Sequence, residues 1–90
     1  MKIQEQVGLV QDEIFQQAKK APDLETIRWW MWVDDCFENG EIVKEEVNSL
    51  RWRIGVLGMK KAPYHRLASL VEPILIYYGF IDEETKEWVG

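Results

Sequence analysis

The spacing of apolar residues is the feature that most constrains this fold, because they recur every three or four positions through most of the chain. Ile3, Val7, Val10 and Ile14 begin the pattern, and Gln, Glu and Asp fill most of the positions between them. This spacing lines apolar side chains along one face of an α-helix, which turns once in about 3.6 residues. The sequence therefore predicts a mainly α-helical fold, a compact bundle of four helices at about residues 3–20, 23–38, 43–58 and 63–78.

Capping and breaking residues set the predicted helix boundaries. Asp23 is a good N-cap for the second helix, and the Asn39-Gly40 pair is expected to close it at its C-terminal end. The second and third helices would then form a tight helical hairpin. Pro73 lies inside the fourth helix and is expected to kink it or split it in two, because proline has no N–H to donate and its ring clashes with the preceding turn.

Two short apolar pairs flank a polar stretch at the C-terminal end. Phe80-Ile81 and Trp88-Val89 lie on either side of residues 82–87, which are mostly acidic. This pattern allows either a short β-hairpin or one turn of helix, and the apolar flanks favour the hairpin.

Size and charge limit the class of protein. Ninety residues form a single domain, 1–90, which is too small for a multidomain enzyme. The only cysteine, Cys36, can form neither an internal disulfide nor a zinc cluster, and it is expected in the core. No apolar run reaches the roughly 18 residues of a membrane span, and no secretory signal is recognisable. We therefore expect a cytoplasmic protein with no membrane association.

The second helix is apolar around most of its circumference. Trp29, Trp30 and Trp32 share one wide arc with Cys36, and Met31 lies in a second apolar sector. Such a helix has to be surrounded. It is either the central helix of the domain, or one of its faces, including Trp29 and Trp32, meets another chain.

The third helix carries an aromatic residue on the side opposite its predicted core line. Trp52 and Val56 lie there, flanked by Arg51 and Arg53. Tryptophan and arginine are enriched at the energetic centres of protein interfaces. We predict a partner-binding site made of Trp52, Val56, Arg51, Arg53, Trp29 and Trp32. The alternative is that Trp52 packs under the C-terminal hairpin or the loop after the third helix.

No residue pattern supports catalysis. His65, the single histidine, has no nucleophile or acid placed near it by any local motif, and no glycine-rich phosphate loop occurs. We expect a non-enzymatic protein that needs no metal or cofactor. A compact acidic chain of this kind, with a net charge of −5, is typical of proteins that act by binding another protein. We interpret it as a regulator or inhibitor of a host protein, encoded by a phage or mobile element, with a homodimer or higher oligomer as a further possibility.

A nucleic-acid-binding function is the alternative. Five basic residues and no acidic residue occur in residues 47–71, and this segment could contact phosphates if its charges cluster in space. The end of the fourth helix at Gly79-Phe80-Ile81, followed by Trp88-Val89, resembles the exit of a winged-helix domain into its wing. That resemblance spans residues 24–90 and implies a helix in the major groove, although the suggested wing is acidic. The residues predicted to bind nucleic acid are Arg51, Arg53, Lys60, Lys61, His65 and Arg66.

Overall fold

The structure, a computed structural model, describes residues 2–55 and 62–89, with no side-chain detail for residues 62 and 63. These residues form four α-helices and one two-stranded antiparallel sheet, which confirms the predicted mainly α-helical bundle. The elements are α1 (Ile3–Lys20), α2 (Leu24–Asp34), β1 (Phe37–Glu38), β2 (Glu41–Ile42), α3 (Val47–Arg53) and α4 (Ala62–Tyr77), with a 3₁₀ turn at Lys44–Glu46 before α3.

α1 packs against two of the other three helices. Its apolar line faces inward, with Val7 and Val10 fully buried and Ile14 almost so. Both α2 and α4 lie against it. The inward side chains of the four helices, the β-hairpin and the C-terminal segment form a single core. That core consists of Ile3, Val7, Val10, Ile14, Trp30, Val33, Cys36, Phe37, Ile42, Val47, Leu50, Ile54, Leu67, Val71, Ile74, Leu75 and Ile81.

The start of α2 follows the predicted cap. Asp23 has an extended backbone, and its side-chain carboxylate accepts a hydrogen bond of 2.7 Å from the Thr26 backbone N–H. This bond favours the charged carboxylate and lowers the pKa of Asp23 below its ordinary value.

The predicted helical hairpin at Asn39-Gly40 is wrong. α2 ends at Asp34, before the predicted end near residue 38, and the chain turns through a β-hairpin in which Phe37 pairs with Ile42. Asn39 and Gly40 both have positive φ angles, of 52° and 75°. That combination matches the two-residue type I′ turn, whose twist suits paired strands and which Asn-Gly strongly favours. The same dipeptide is thus a strand connector here and no helix cap.

Close packing adds a second reason for glycine in this turn. A Cβ on Gly40 would lie 2.9 Å from Cγ of Gln4 in α1. The hairpin therefore lies directly against the first turns of α1.

α4 continues through Pro73 to Tyr77 and is not split. Proline cannot donate to the carbonyl of Ser69, and the neighbouring Leu70 carbonyl accepts a 2.8 Å hydrogen bond from the Gln6 side chain of α1. The helix closes at Gly79, where φ is 83° and the Phe80 N–H donates to the Leu75 carbonyl, as in a Schellman cap.

The C-terminal segment returns antiparallel to itself. Ile81 and Trp88 form an isolated antiparallel bridge, and the Val89 N–H donates to the Phe80 carbonyl. The favoured hairpin therefore describes this segment better than a helical turn does. The bridge holds Trp88 beside the end of α4.

Among the described residues, no helix combines the length and apolarity that crossing a bilayer requires.

Candidate partner-binding surface

α3 buries one side and exposes a tryptophan on the other. Val47, Leu50 and Ile54 belong to the core. Trp52, about half a turn from that line, is 72% exposed, the largest exposure of any large apolar side chain in the described part of the protein. The alternative prediction that Trp52 packs beneath the C-terminal segment does not describe this side chain, and the loop after the third helix, the other predicted cover, lies outside the described residues.

Each arginine beside Trp52 lies over a different indole ring. The Arg51 guanidinium carbon is 5.2 Å from the centroid of Trp88, and that of Arg53 is 5.3 Å from the centroid of Trp32. Both distances lie within the roughly 6 Å range of a cation–π interaction. Successive residues of a helix are about 100° apart, so Arg51 and Arg53 diverge from Trp52 toward opposite flanks.

The result is a row in which indoles and guanidiniums alternate across α3. We call it the indole–arginine surface; its members, in order, are Trp32, Arg53, Trp52, Arg51 and Trp88. Trp32 is 53% exposed and Trp88 is partly buried against the core. Three elements distant in sequence contribute to one continuous face.

Cys36 lies beneath one end of this surface. Its side chain is fully buried, and its Sγ is 4.0 Å from a guanidinium nitrogen of Arg53, which also lies 3.5 Å from the Trp32 carbonyl oxygen. Burial raises the pKa of the Cys36 thiol to about 11, against a smaller opposing effect of the nearby Arg53 charge. A protonated, enclosed thiol is unreactive, which confirms the expectation that Cys36 is a core residue.

Two depressions adjoin the surface and share a boundary. One is lined by Asn48, Arg51, Trp52, Gly55 and Trp88. The other is lined by Ile54, Gly55, Ala68, Glu72, Leu75, Ile81, Lys86 and Trp88. Gly55 and Trp88 belong to both, and an ideal Cβ on Gly55 would meet no atom within 4 Å. Gly55 therefore leaves space beside both depressions that a longer side chain would occupy.

Trp29 lies elsewhere. Its ring is 5.0 Å from that of Trp30 at 90°, and 4.5 Å from that of Tyr64 in α4. Trp30 in turn lies 5.1 Å from Tyr64. We call these three rings the aromatic cluster. Trp29 and Trp32 make different ring contacts, Trp29 with Trp30 and Tyr64 and Trp32 with Arg53, and the predicted role of Trp29 in binding stays a prediction.

The basic residues predicted to bind nucleic acid make separate contacts in the described part of the chain, and their predicted role stays a prediction. His65 and Arg66 are exposed on α4, and the Arg66 Nε is 3.3 Å from a carboxylate oxygen of the largely buried Glu13. Arg51 and Arg53 lie over the two indoles described above. Val56, Lys60 and Lys61 lie outside the described residues.

Arg51 and Arg53 are not paired with carboxylates in the ranges 2–55 and 62–89. The ion pairs formed there are Lys2–Glu5, Glu13–Arg66 and Glu72–Lys86. In a chain with a net charge of −5, Arg51 and Arg53 provide local positive charge beside the indoles of this surface.

Trp88 was not predicted as a site residue. Its sequence neighbours indicate only that it flanks a turn, and the pairing with Ile81 is what carries it toward α3. A pairing of the apolar residues on either side of residues 82–87 was foreseeable, whereas its docking beside Arg51 was not.

The indole–arginine surface consists of three indoles and two guanidiniums. Within the described residues, no three His, Cys, Asp or Glu side chains come close enough to hold a metal ion.

Comparison of the chain with protein-family models, curated protein sequences and solved structures finds no match.

Proposed function

We propose that this protein is a non-enzymatic binding module that docks on another protein through the indole–arginine surface. The observation that carries the proposal is the solvent exposure of Trp52, which is 72% exposed. Covering an indole of this size removes on the order of 100–150 Å² of apolar area from water, which is about 3 kcal/mol of favourable free energy. That amount is comparable to a binding hot spot.

The composition of the surface supports a protein partner. Trp and Arg are the residues most enriched at interface centres, and here both types alternate along one face. One indole of this face, Trp88, is held in place because it packs against the core. Side chains held in place before binding lose less entropy when a partner covers them.

A protein partner accounts for the surface better than a nucleic acid does. Single-stranded nucleic acids bind by stacking successive bases on several free aromatic faces, but arginines already lie over Trp32 and Trp88, which leaves Trp52 as the uncovered indole of this surface. The exposed carboxylates of Glu83, Glu84 and Glu87 near Trp88 would repel a continuous line of phosphates. Nucleic-acid binding remains a prediction that the experiments below also test.

The proposal also covers the kind of protein that is bound. We expect a host protein whose activity is regulated or inhibited on docking, as for a protein encoded by a phage or mobile element. A second copy of the chain would bury the same indoles, so the oligomeric state has to be measured beside any binding experiment.

The test is capture from a cell extract with matched baits. Immobilised wild-type protein is compared with Trp52→Ala and with Phe15→Ala, since Phe15 is also an exposed aromatic (54%) with a cation, Lys19, 4.5 Å from its ring centroid. We expect a stoichiometric protein on the wild-type and Phe15→Ala baits. The Trp52→Ala bait should bind it about thirtyfold more weakly, as for loss of a hot-spot residue.

Two controls decide the outcome. Light scattering at several concentrations separates a heterologous partner from self-association, and circular dichroism verifies that Trp52→Ala is folded. Equal capture by all three baits would contradict the proposal, and so would the absence of any captured protein. Binding of a 20-nucleotide oligo(dT) that Trp52→Ala abolishes would also contradict it.

A further inference from the structure

The two depressions beside α3 form a short groove with unlike ends. The end at α3 carries Trp52 and Arg51, and the other end lies between α4 and the C-terminal bridge. Gly55 and Trp88 form the boundary between them. The second depression has a volume of about 300 Å³, at the lower limit for small-molecule pockets, which suits one large side chain better than a whole ligand.

Apolar side chains form most of the deeper end. Ile54, Leu75 and Ile81 are core residues whose edges reach it, and Trp88 forms one wall. The polar groups at its rim are Glu72 and Lys86, which neutralise each other in an ion pair of 3.3 Å. This end therefore favours an apolar group that brings no charge.

Positive charge is concentrated at the α3 end. Arg51 and Arg53 lie on either side of Trp52 and belong to no ion pair formed within the described residues. At the opposite end, Glu83 lies near Glu72 and Lys86, with which it lines a neighbouring depression, and its charge would repel a carboxylate there. A bound segment with negative charge is thus favoured in one direction only.

We propose that this groove binds an acidic, amphipathic segment of the partner protein: a large apolar side chain enters the depression at Gly55 and Trp88, and neighbouring carboxylates pair with Arg51 and Arg53. This inference rests on the proposed function and names the chemistry of the partner. Bidentate arginine–carboxylate pairs fix orientation, and the apolar side chain supplies the burial.

Gly55 offers a variant that closes the groove without disturbing the core. Gly55 is exposed, its φ is not in the left-handed region, and a Cβ there meets nothing within 4 Å. Gly55→Leu should fill the shared boundary, whereas Gly55→Ala adds only one methyl group. Both variants should melt within about 5 °C of wild type, because neither displaces core atoms.

The experiment selects the ligand directly. A displayed library of random 12-residue peptides is selected on wild-type protein and counter-selected on Gly55→Leu. We expect enrichment of Asp and Glu within about four positions of a Trp, Phe, Leu or Met, the reach of one helical turn. Synthetic copies of the selected peptides should bind Gly55→Ala like wild type and Gly55→Leu about thirtyfold more weakly.

Charge reversal gives an independent readout. Arg51→Glu with Arg53→Glu should abolish binding of the acidic peptides and gain binding of copies in which every Asp and Glu is replaced by Lys. Affinity for the wild type should fall as salt is raised.

The outcomes separate this inference from the proposed function. Selection of neutral or basic peptides, or of no peptide whose binding depends on Gly55, would overturn the inference of an acidic segment. The proposed function would still be supported if capture from the extract depends on Trp52. Selected peptides that bind Trp52→Ala as tightly as wild type would count against both. A dimer that Gly55→Leu dissociates would replace the acidic segment with a second copy of the chain.

Discussion

The tryptophans of the aromatic cluster and those of the indole–arginine surface differ in their surroundings, even where two of them share a helix. Trp30 and Trp32 are two residues apart in α2, yet Trp30 is 2% exposed and Trp32 is 53% exposed. Two residues correspond to about 200° around a helix, so one ring points toward Tyr64 in the aromatic cluster and the other toward Arg53. The number of tryptophans alone therefore predicts neither stability nor binding. The position of each ring around its helix decides whether that ring stabilises the core or is exposed for binding.

The largest effect on stability is expected in the aromatic cluster. Trp30→Ala removes a ring that is enclosed by the core and in edge contact with Trp29. We expect a loss of about 3 to 5 kcal/mol in the free energy of unfolding, which exceeds or matches the total stability of many domains of this size. Urea denaturation followed by circular dichroism measures it. A loss below 1 kcal/mol would mean that the two groups of tryptophans do not differ as described.

A smaller effect, dependent on pH, is expected at Cys36 where the core meets the surface. Because burial raises the pKa of this thiol to about 11, the folded state favours the protonated form. The associated stability is complete below the ordinary pKa of a thiol and is lost as the pH rises toward 11.

The variant Cys36→Ala isolates this contribution. The free energy of unfolding of the wild type should fall more steeply than that of the variant between pH 9 and pH 11, and the difference between them should be constant below pH 8. Parallel curves over the whole range would show that the thiol is not held in its protonated form by the fold.

The smallest effect on stability is expected at the indole–arginine surface. Trp52→Ala should change the free energy of unfolding by less than about 1 kcal/mol, because the ring makes few contacts within the fold. The same urea titration used for Trp30→Ala provides the measurement. A loss near that of Trp30→Ala would place Trp52 in the core and remove the basis of the proposed function.

The fold was largely predictable because its helices have regular apolar spacing. The bounds of α1 follow from Ile3, Val7 and their successors, and Gly79 marks the end of α4 as expected. The turn at Asn39-Gly40 was mistaken because the same residues serve two backbone solutions, a helix cap and a type I′ hairpin. Alternation of apolar and polar residues would distinguish a hairpin from a helix cap. Each strand here has only two residues, which are too few to show such a pattern.

The candidate site was predictable only where it lies on one helix. Arg51, Trp52 and Arg53 follow from their positions opposite the core line of α3. The contact between Arg53 and Trp32 joins residues 21 positions apart, and the contribution of Trp88 depends on how the C-terminal segment docks. Such contacts are set by tertiary packing, which local sequence patterns do not encode.

The central claim is that the fold leaves the Trp52 indole in water until a partner covers it. The five indole N–H groups give separate proton–nitrogen NMR signals, which single Trp→Phe variants assign, and a soluble gadolinium complex broadens signals according to solvent exposure. At concentrations where light scattering finds a monomer, we expect Trp52 to be broadened most, Trp32 strongly and Trp30 least. Five equally protected signals in the monomer would contradict the account.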